Sequence, residues 1–134
     1  MLSGYASLGR LGQESVAEMG EEADFQKACI DAAHIYGWIV AHFRPARTAT
    51  GWRTAVQADG AGFPDLVLVH HRQKRVLFVE VKAQAKYLSL DQKMWASALT
   101  STRAEWDLWK PNDWERILRI LGGTSVSESA TSEK

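Results

Sequence analysis

The chain predicts an α/β domain built round one mixed β-sheet flanked by helices. Two observations carry that reading. Leu66-Val67-Leu68-Val69 and Val76-Leu77-Phe78-Val79 are apolar, β-rich runs of strand length separated by the polar stretch His70 to Arg75, a hairpin pattern. Segments of helical period precede and follow them, and strands alternating with helices in this way build a layered sheet. The order of elements is helix, three strands, helix, strand, helix (αβββαβα).

Residues 1–20, with four glycines among scattered Ser and Glu, are expected to form a loosely ordered arm with a short helix around Glu14–Met19. The first long helix is predicted from Glu21 to Tyr36. Phe25, Cys29, Ala32 and Tyr36 recur at helical spacing with Ala28 and Ile35 beside them, and Gly37 ends the run. A strand is predicted over Trp38–Phe43. A loop with Arg44, Pro45 and Arg47 follows, then a short strand near Trp52–Gln57. Asp59-Gly60-Ala61-Gly62 supplies turn chemistry before the hairpin. Ser89, three residues ahead of Gln92, forms a capping box on a helix carrying Met94, Trp95, Ala98 and Leu99. A last strand over Ala104–Trp109 and a helix from Asn112 to Leu121 complete the folded region, 21–121. The tail from Gly122 to Lys134 is Gly, Ser, Thr and Glu with little to bury, and is expected to be disordered. Trp38, Trp95, Trp106 and Trp109 fall on predicted elements and read as core. Trp52, in a basic stretch, is the exception.

Bulk composition narrows the function classes. A length of 134 residues suits one domain, and 46% hydrophobic with 24% charged residues suits an ordinary globular one. No apolar run approaches the length of a membrane span, and the N-terminus lacks a secretory pattern. One cysteine, Cys29, can make neither an internal disulfide nor a Cys-based zinc site, so a reducing cytoplasmic setting is expected. Net charge is zero but unevenly spread. Residues 1–24 hold one basic and five acidic side chains, whereas residues 42–86 hold eight basic and three acidic ones. That local excess is a footprint for phosphates.

The chemistry lies at one end of the hairpin. A turn centred on Arg72-Gln73 sets Asp65 directly opposite Glu80, and cross-strand neighbours have Cβ atoms about 4.5–5.5 Å apart. Alternation places Glu80 and Lys82 on one face and Val79 and Val81 on the other. Two carboxylates this close repel unless a cation lies between them. Hard divalent ions prefer such oxygens and share phosphate ligands, so the arrangement reads as a phosphodiester-cleaving metal site. Glu22 lies near the expected N-terminal end of the first helix's buried stripe. On pattern alone it serves equally well as a site acid or as a partner of the helix dipole.

The element order, with Gly62-Phe63-Pro64-Asp65 and Glu80-Val81-Lys82, resembles the PD-(D/E)XK nuclease superfamily and, more narrowly, the VRR-NUC family of small nucleases. The likeness covers most of residues 21–121. It takes in Glu22 with Phe25-Gln26, Gly37-Trp38, Pro64-Asp65-Leu66, Glu80-Val81-Lys82-Ala83, Leu88-Ser89 with Gln92 and Trp95, and Trp109-Lys110-Pro111-x-Asp113-Trp114. Ser101-Thr102-Arg103 departs from the glycine-containing turn the family places before the last strand. The resemblance implies that Glu22, Asp65 and Glu80 are metal-site acids, with the Val81 main-chain carbonyl completing the coordination of Mg²⁺ or Mn²⁺. It implies that Lys82 acts on the attacking water and on charge at phosphorus, and that Gln92 supports the site. His42, Arg44, Arg47 and Arg53 are candidate DNA-backbone contacts, whereas His34, His70 and His71 read as surface or packing residues. The implied function is a structure-selective DNA endonuclease, with Holliday junctions or flaps as substrates and a homodimer as the working form. A nicking or end-processing nuclease of a mobile element or restriction system is an alternative, as is a catalytically silent module that binds DNA structures.

Overall fold

The computed structural model describes residues 14–43, 46–48, 51–53 and 57–132. Helix α1 spans Glu14–Ile35, followed by strands β1 (Ile39–His42), β2 (Ala46–Thr48), β3 (Gly51–Arg53), β4 (Leu66–His70) and β5 (Arg75–Val81). Helix α2 (Leu90–Thr100) leads to β6 (Glu105–Trp109), a 3-10 turn over Pro111–Asp113, α3 (Trp114–Gly122) and α4 (Val126–Ser132). The main sheet has the order β1-β4-β5-β6, and β2 and β3 form a separate ribbon. Among the described strands only β5 and β6 run parallel, and α2 is the crossover that a parallel pair requires.

The hairpin has the predicted register. Leu66 pairs with Val79 and His70 with Arg75, so the next position sets Asp65 beside Glu80. Strand alternation sorts the residues into two layers. Leu66, Leu68, Leu77, Val79, Val81 and Trp109 face α1 and α3, where Phe25, Cys29, Ala33, Ile117, Ile120 and Leu121 close a fully buried core. Phe78 points to the opposite face and meets Phe63, which packs on Trp95 of α2. Glu80 shares the Phe78 face, and α2 therefore stands over it.

Four expectations need correction. Helix α1 starts at Glu14 rather than Glu21, so the separate short helix merges with it. Its buried stripe ends at Ala33. Ile35 is 83% exposed, and Tyr36 also faces outward, because the chain has reached the end of the sheet that α1 covers. Arg47, expected in a loop, lies in β2 opposite Trp52 of β3. The tail expected to be disordered contains α4. Its first turn is closed by Ser125 and Glu128, the Glu128 amide donating to Ser125 Oγ and the Ser125 amide to Glu128 Oε1. Helix α4 packs Val126 against the core and is otherwise docked by hydrogen bonds. Arg75 donates to the Thr124 carbonyl, Arg116 to the buried Ser129 hydroxyl, and the Val126 amide to Glu105.

Of the tryptophans expected in the core, Trp38 and Trp109 are buried, whereas Trp95 and Trp106 are half-covered. His70 is a packing residue as expected. Its Nε2 meets the Tyr36 carbonyl at 2.9 Å, and its Nδ1 accepts from the Gln73 amide.

Candidate active site

The site begins with the turn that delivers Asp65. Gly62 has φ +81, and a Cβ on it would lie 2.5 Å from the Asp91 carbonyl carbon, so only glycine lets the loop touch the start of α2. Phe63 then inserts between Phe43, Phe78 and Trp95, with edge-on ring centroids 5.1–5.9 Å apart. The Trp95 indole N–H is shared by the carbonyls of Asp59 and Ala61, both at 3.1 Å. Buried Pro64 fixes the last φ before Asp65. The loop is thus fastened to α2 on one side and to the sheet on the other.

Asp65 Oδ2 accepts the Val81 amide at 2.9 Å. Its pKa is raised by burial, a shift opposed mainly by that amide. Glu80, fully buried across the ladder, is pushed up to about 9, first by burial and then by the negative charge of Asp65. At neutral pH, without a cation, that shift keeps a proton on Glu80 beside Asp65. Glu80 Oε1 accepts a long 3.4 Å contact from Gln92 Nε2, while Oε2 is buried with no hydrogen-bond partner among the described residues.

Glu22 reaches the same region from α1. Its Oε1 accepts the Ala83 amide at 3.2 Å. Burial raises its pKa, and Asp65 and Lys82 are among the charges acting on it. The helix-dipole alternative weakens here. With α1 starting at Glu14, Glu22 lies more than two turns inside, beyond the first turn where the dipole acts. Lys82, the half-buried residue after β5, stabilises the charged forms of all three acids. Gln92 combines both expected positions. Its Oε1 accepts the Ser89 amide at 2.8 Å in the capping box, leaving Nε2 to face Glu80.

His42 ends β1 opposite Leu66, exposed, and its charge lowers the pKa of Asp65. Arg44 lies outside the described residues. Arg47 and Arg53 sit on the β2–β3 ribbon, with Arg53 opposite Ala46.

The carboxylates and the Val81 carbonyl are all hard oxygen donors, which suits Mg²⁺ or Mn²⁺ better than a soft metal. The orphaned Glu80 Oε2 fits such a cation, because an unsatisfied buried oxygen at the acid pair needs a positive partner. Among the described residues, no three His, Cys, Asp or Glu side chains are drawn into a ready metal cage. Glu22 and Asp65 each turn an oxygen to a main-chain amide, and Asp65 and Glu80 are the pair already together.

The mixed sheet with flanking helices is a PD-(D/E)XK-like fold, the architecture of a nuclease class. The family model for the VRR-NUC domain matches residues 21–109, more than half of the chain, and the chain belongs to that family. No curated protein and no solved structure matches it. Membership carries a nuclease-type function, hydrolysis with DNA as substrate. No helix among the described residues is long and apolar enough to cross a membrane.

Sequence reasoning missed how tightly the Asp65 loop is held. The Phe63–Trp95 contact and the forked indole hydrogen bond join residues more than thirty positions apart. Gly62, Phe63 and Trp95 were visible singly, but their contact depends on the crossover that brings α2 back over the sheet.

Proposed function

We propose that this protein is a divalent-metal-dependent endonuclease that cuts branched or otherwise structured DNA, with Glu22, Asp65, Glu80, Lys82 and Gln92 as its working residues. The observation that carries this reading is the buried Asp65–Glu80 pair, whose Glu80 Oε2 has no hydrogen-bond partner among the described residues. Asp65, Glu80 and the Val81 carbonyl, with Glu22 behind them, would hold Mg²⁺ or Mn²⁺. When bound, the ion neutralises phosphate charge and acidifies a water.

The other roles fall to the chain itself. Asp65 and Glu80 must both be ionised to serve, so the proton on Glu80 has to leave before the site is competent. Gln92 limits rotation of the Glu80 carboxyl while its own amide is locked in the α2 cap. The Lys82 ammonium orients the attacking water and offsets charge that builds on the phosphoryl oxygens. His42, Arg44, Arg47 and Arg53 contact the DNA backbone, positioning it without reading sequence. A homodimer would present two such sites related by a dyad, which symmetric cutting of a junction needs.

The test is cleavage of labelled four-way junction, flap and linear duplex DNA of matched sequence in Mg²⁺, Mn²⁺ and EDTA. Wild-type protein should cut branched DNA in either metal and nothing in EDTA. Asp65→Asn, which keeps an acceptor for the Val81 amide, should be folded and inactive. Full activity in that folded variant would remove the site. Equal cutting of all three substrates would remove the structural selectivity.

A further inference from the structure

The segment from Lys82 to Gln92 leaves the acid site and returns to it. At one end Lys82 follows Glu80 and Val81, and the Ala83 amide is bound to Glu22. At the other end Gln92 faces Glu80. Tyr87 stands midway, five residues from each end, so the reach of the chain keeps it within roughly 18 Å of either. The arch is braced from beneath. Lys110 donates to the Gln84 carbonyl at 3.2 Å, and the Asn112 amide donates to Gln84 Oε1 at 2.9 Å. The Lys86 amide closes a turn onto the Ala83 carbonyl, and the Lys86 charge acts on Glu22.

On this braced arch the Tyr87 ring is 84% exposed, and the Lys110 ammonium sits 5.1 Å from its centroid. A large ring left in water beside a nuclease site, with cations next to it, has the make-up of a single-strand contact. Such sites combine aromatic faces for the bases with positive charge for the phosphates. A paired base is stacked inside the duplex and shows its face to nothing. An unpaired base can turn out onto the ring.

We propose that Tyr87 is a stacking platform for an unpaired nucleobase a few nucleotides from the cleavage point, biasing the site toward DNA with unstacked bases. The inference rests on the nuclease reading above and adds what distinguishes the substrate. One strand rises 3.4 Å per nucleotide in a duplex, so the limit on reach places the base within about five nucleotides of the scissile phosphate.

The experiment measures binding without turnover. Fluorescence anisotropy in EDTA compares a forked DNA carrying unpaired nucleotides with a fully paired duplex of the same sequence, using wild type, Tyr87→Ala, Tyr87→Phe and Tyr87→Leu. Met94→Ala, an exposed apolar residue on α2, is the control for general loss of apolar surface. Tyr87→Ala and Tyr87→Leu should weaken fork binding by roughly five- to hundredfold, the span of one lost base–aromatic stack. Tyr87→Phe should stay within about twofold, as should every variant on duplex. A 2-aminopurine among the unpaired positions should be quenched by wild type and not by Tyr87→Ala. Equal losses on fork and duplex, no loss at all, a Leu variant that binds like wild type, unchanged quenching, or a wild type that fails to bind the fork would each overturn the platform. Tyr87-dependent fork binding without cleavage in Mg²⁺ or Mn²⁺ would overturn the metal-nuclease proposal and leave the platform standing.

Discussion

Replacing Glu80 with glutamine keeps the volume of a side chain the fold has sealed from water and removes its ability to ionise. Burial and Asp65 raise the Glu80 pKa from 4.5 to about 9. Between those values the folded, cation-free protein holds a proton that the unfolded chain has released. For an acid whose folded pKa is raised, stability is highest below pH 4.5. It then falls by about 1.4 kcal/mol per pH unit until the folded group also ionises near pH 9. By pH 7 the cost approaches roughly 3 kcal/mol. Glutamine escapes it, and its amide can still donate toward Asp65. In EDTA, Glu80→Gln should therefore be more stable than wild type at pH 7 by up to roughly 3 kcal/mol, and equal to it near pH 4.5. Urea unfolding across that range should show a midpoint gap that opens to about 1–3 M, given slopes of about 1–3 kcal/mol/M. The same protein should not cleave DNA. A gap that stays constant with pH, or a variant less stable at pH 7, would refute the proton held on Glu80.

Lys82→Ala should lower the cleavage rate by at least about tenfold with little change in DNA affinity, read from single-turnover kinetics beside anisotropy; a change in affinity alone would place Lys82 on the binding surface. Glu22→Gln should cripple cleavage, whereas Glu21→Gln, about 100° round the helix, should not. Because α1 begins at Glu14, neither change should cost the stability of a lost dipole contact, and equal loss of activity at both would point to general helix electrostatics. Gly62→Ala combines a left-handed φ with a contact 2.5 Å from the Asp91 backbone. It should cost about 2 kcal/mol or more and lower activity by displacing Asp65, and a neutral result in thermal melts would mean that the loop is looser than drawn.

The acid pair was legible because its determinants are local. A polar turn between two apolar runs fixes the register, and the register alone sets Asp65 against Glu80. The capping role of Gln92 was legible for the same reason, as the third residue after a capping serine, whereas its place beside Glu80 was expected only from the family resemblance. Glu22 stayed ambiguous on pattern because a glutamate near an expected helix start has two explanations, and the start at Glu14 weakens the dipole one. Helix α4 was missed by weighing apolar content alone. Ser125-x-x-Glu128 is a capping box in plain sight. Apart from Val126 on the core, what holds that helix down is polar and distant in sequence, and no periodicity announces it. Arg75, read as part of a basic stretch, is instead fixed by Glu105 through bonds of 2.6 and 2.8 Å.

That arginine bears on where the protein can be cut or fused. The family match ends at residue 109, yet the folded unit does not. Past that point Ile117, Ile120 and Leu121 are fully buried, the Leu121 carbonyl takes the Trp38 indole N–H at 2.9 Å, and Arg75 donates to the carbonyls of Ile120 and Thr124. A fragment trimmed to the matched region would open the face beneath α1 and leave Arg75, only 12% exposed, with Glu105 but without its two carbonyl partners. The segment that identifies the lineage is shorter than the segment that folds. A transplant of this nuclease into another protein should therefore carry the chain through α4 and leave its joint beyond Ser132.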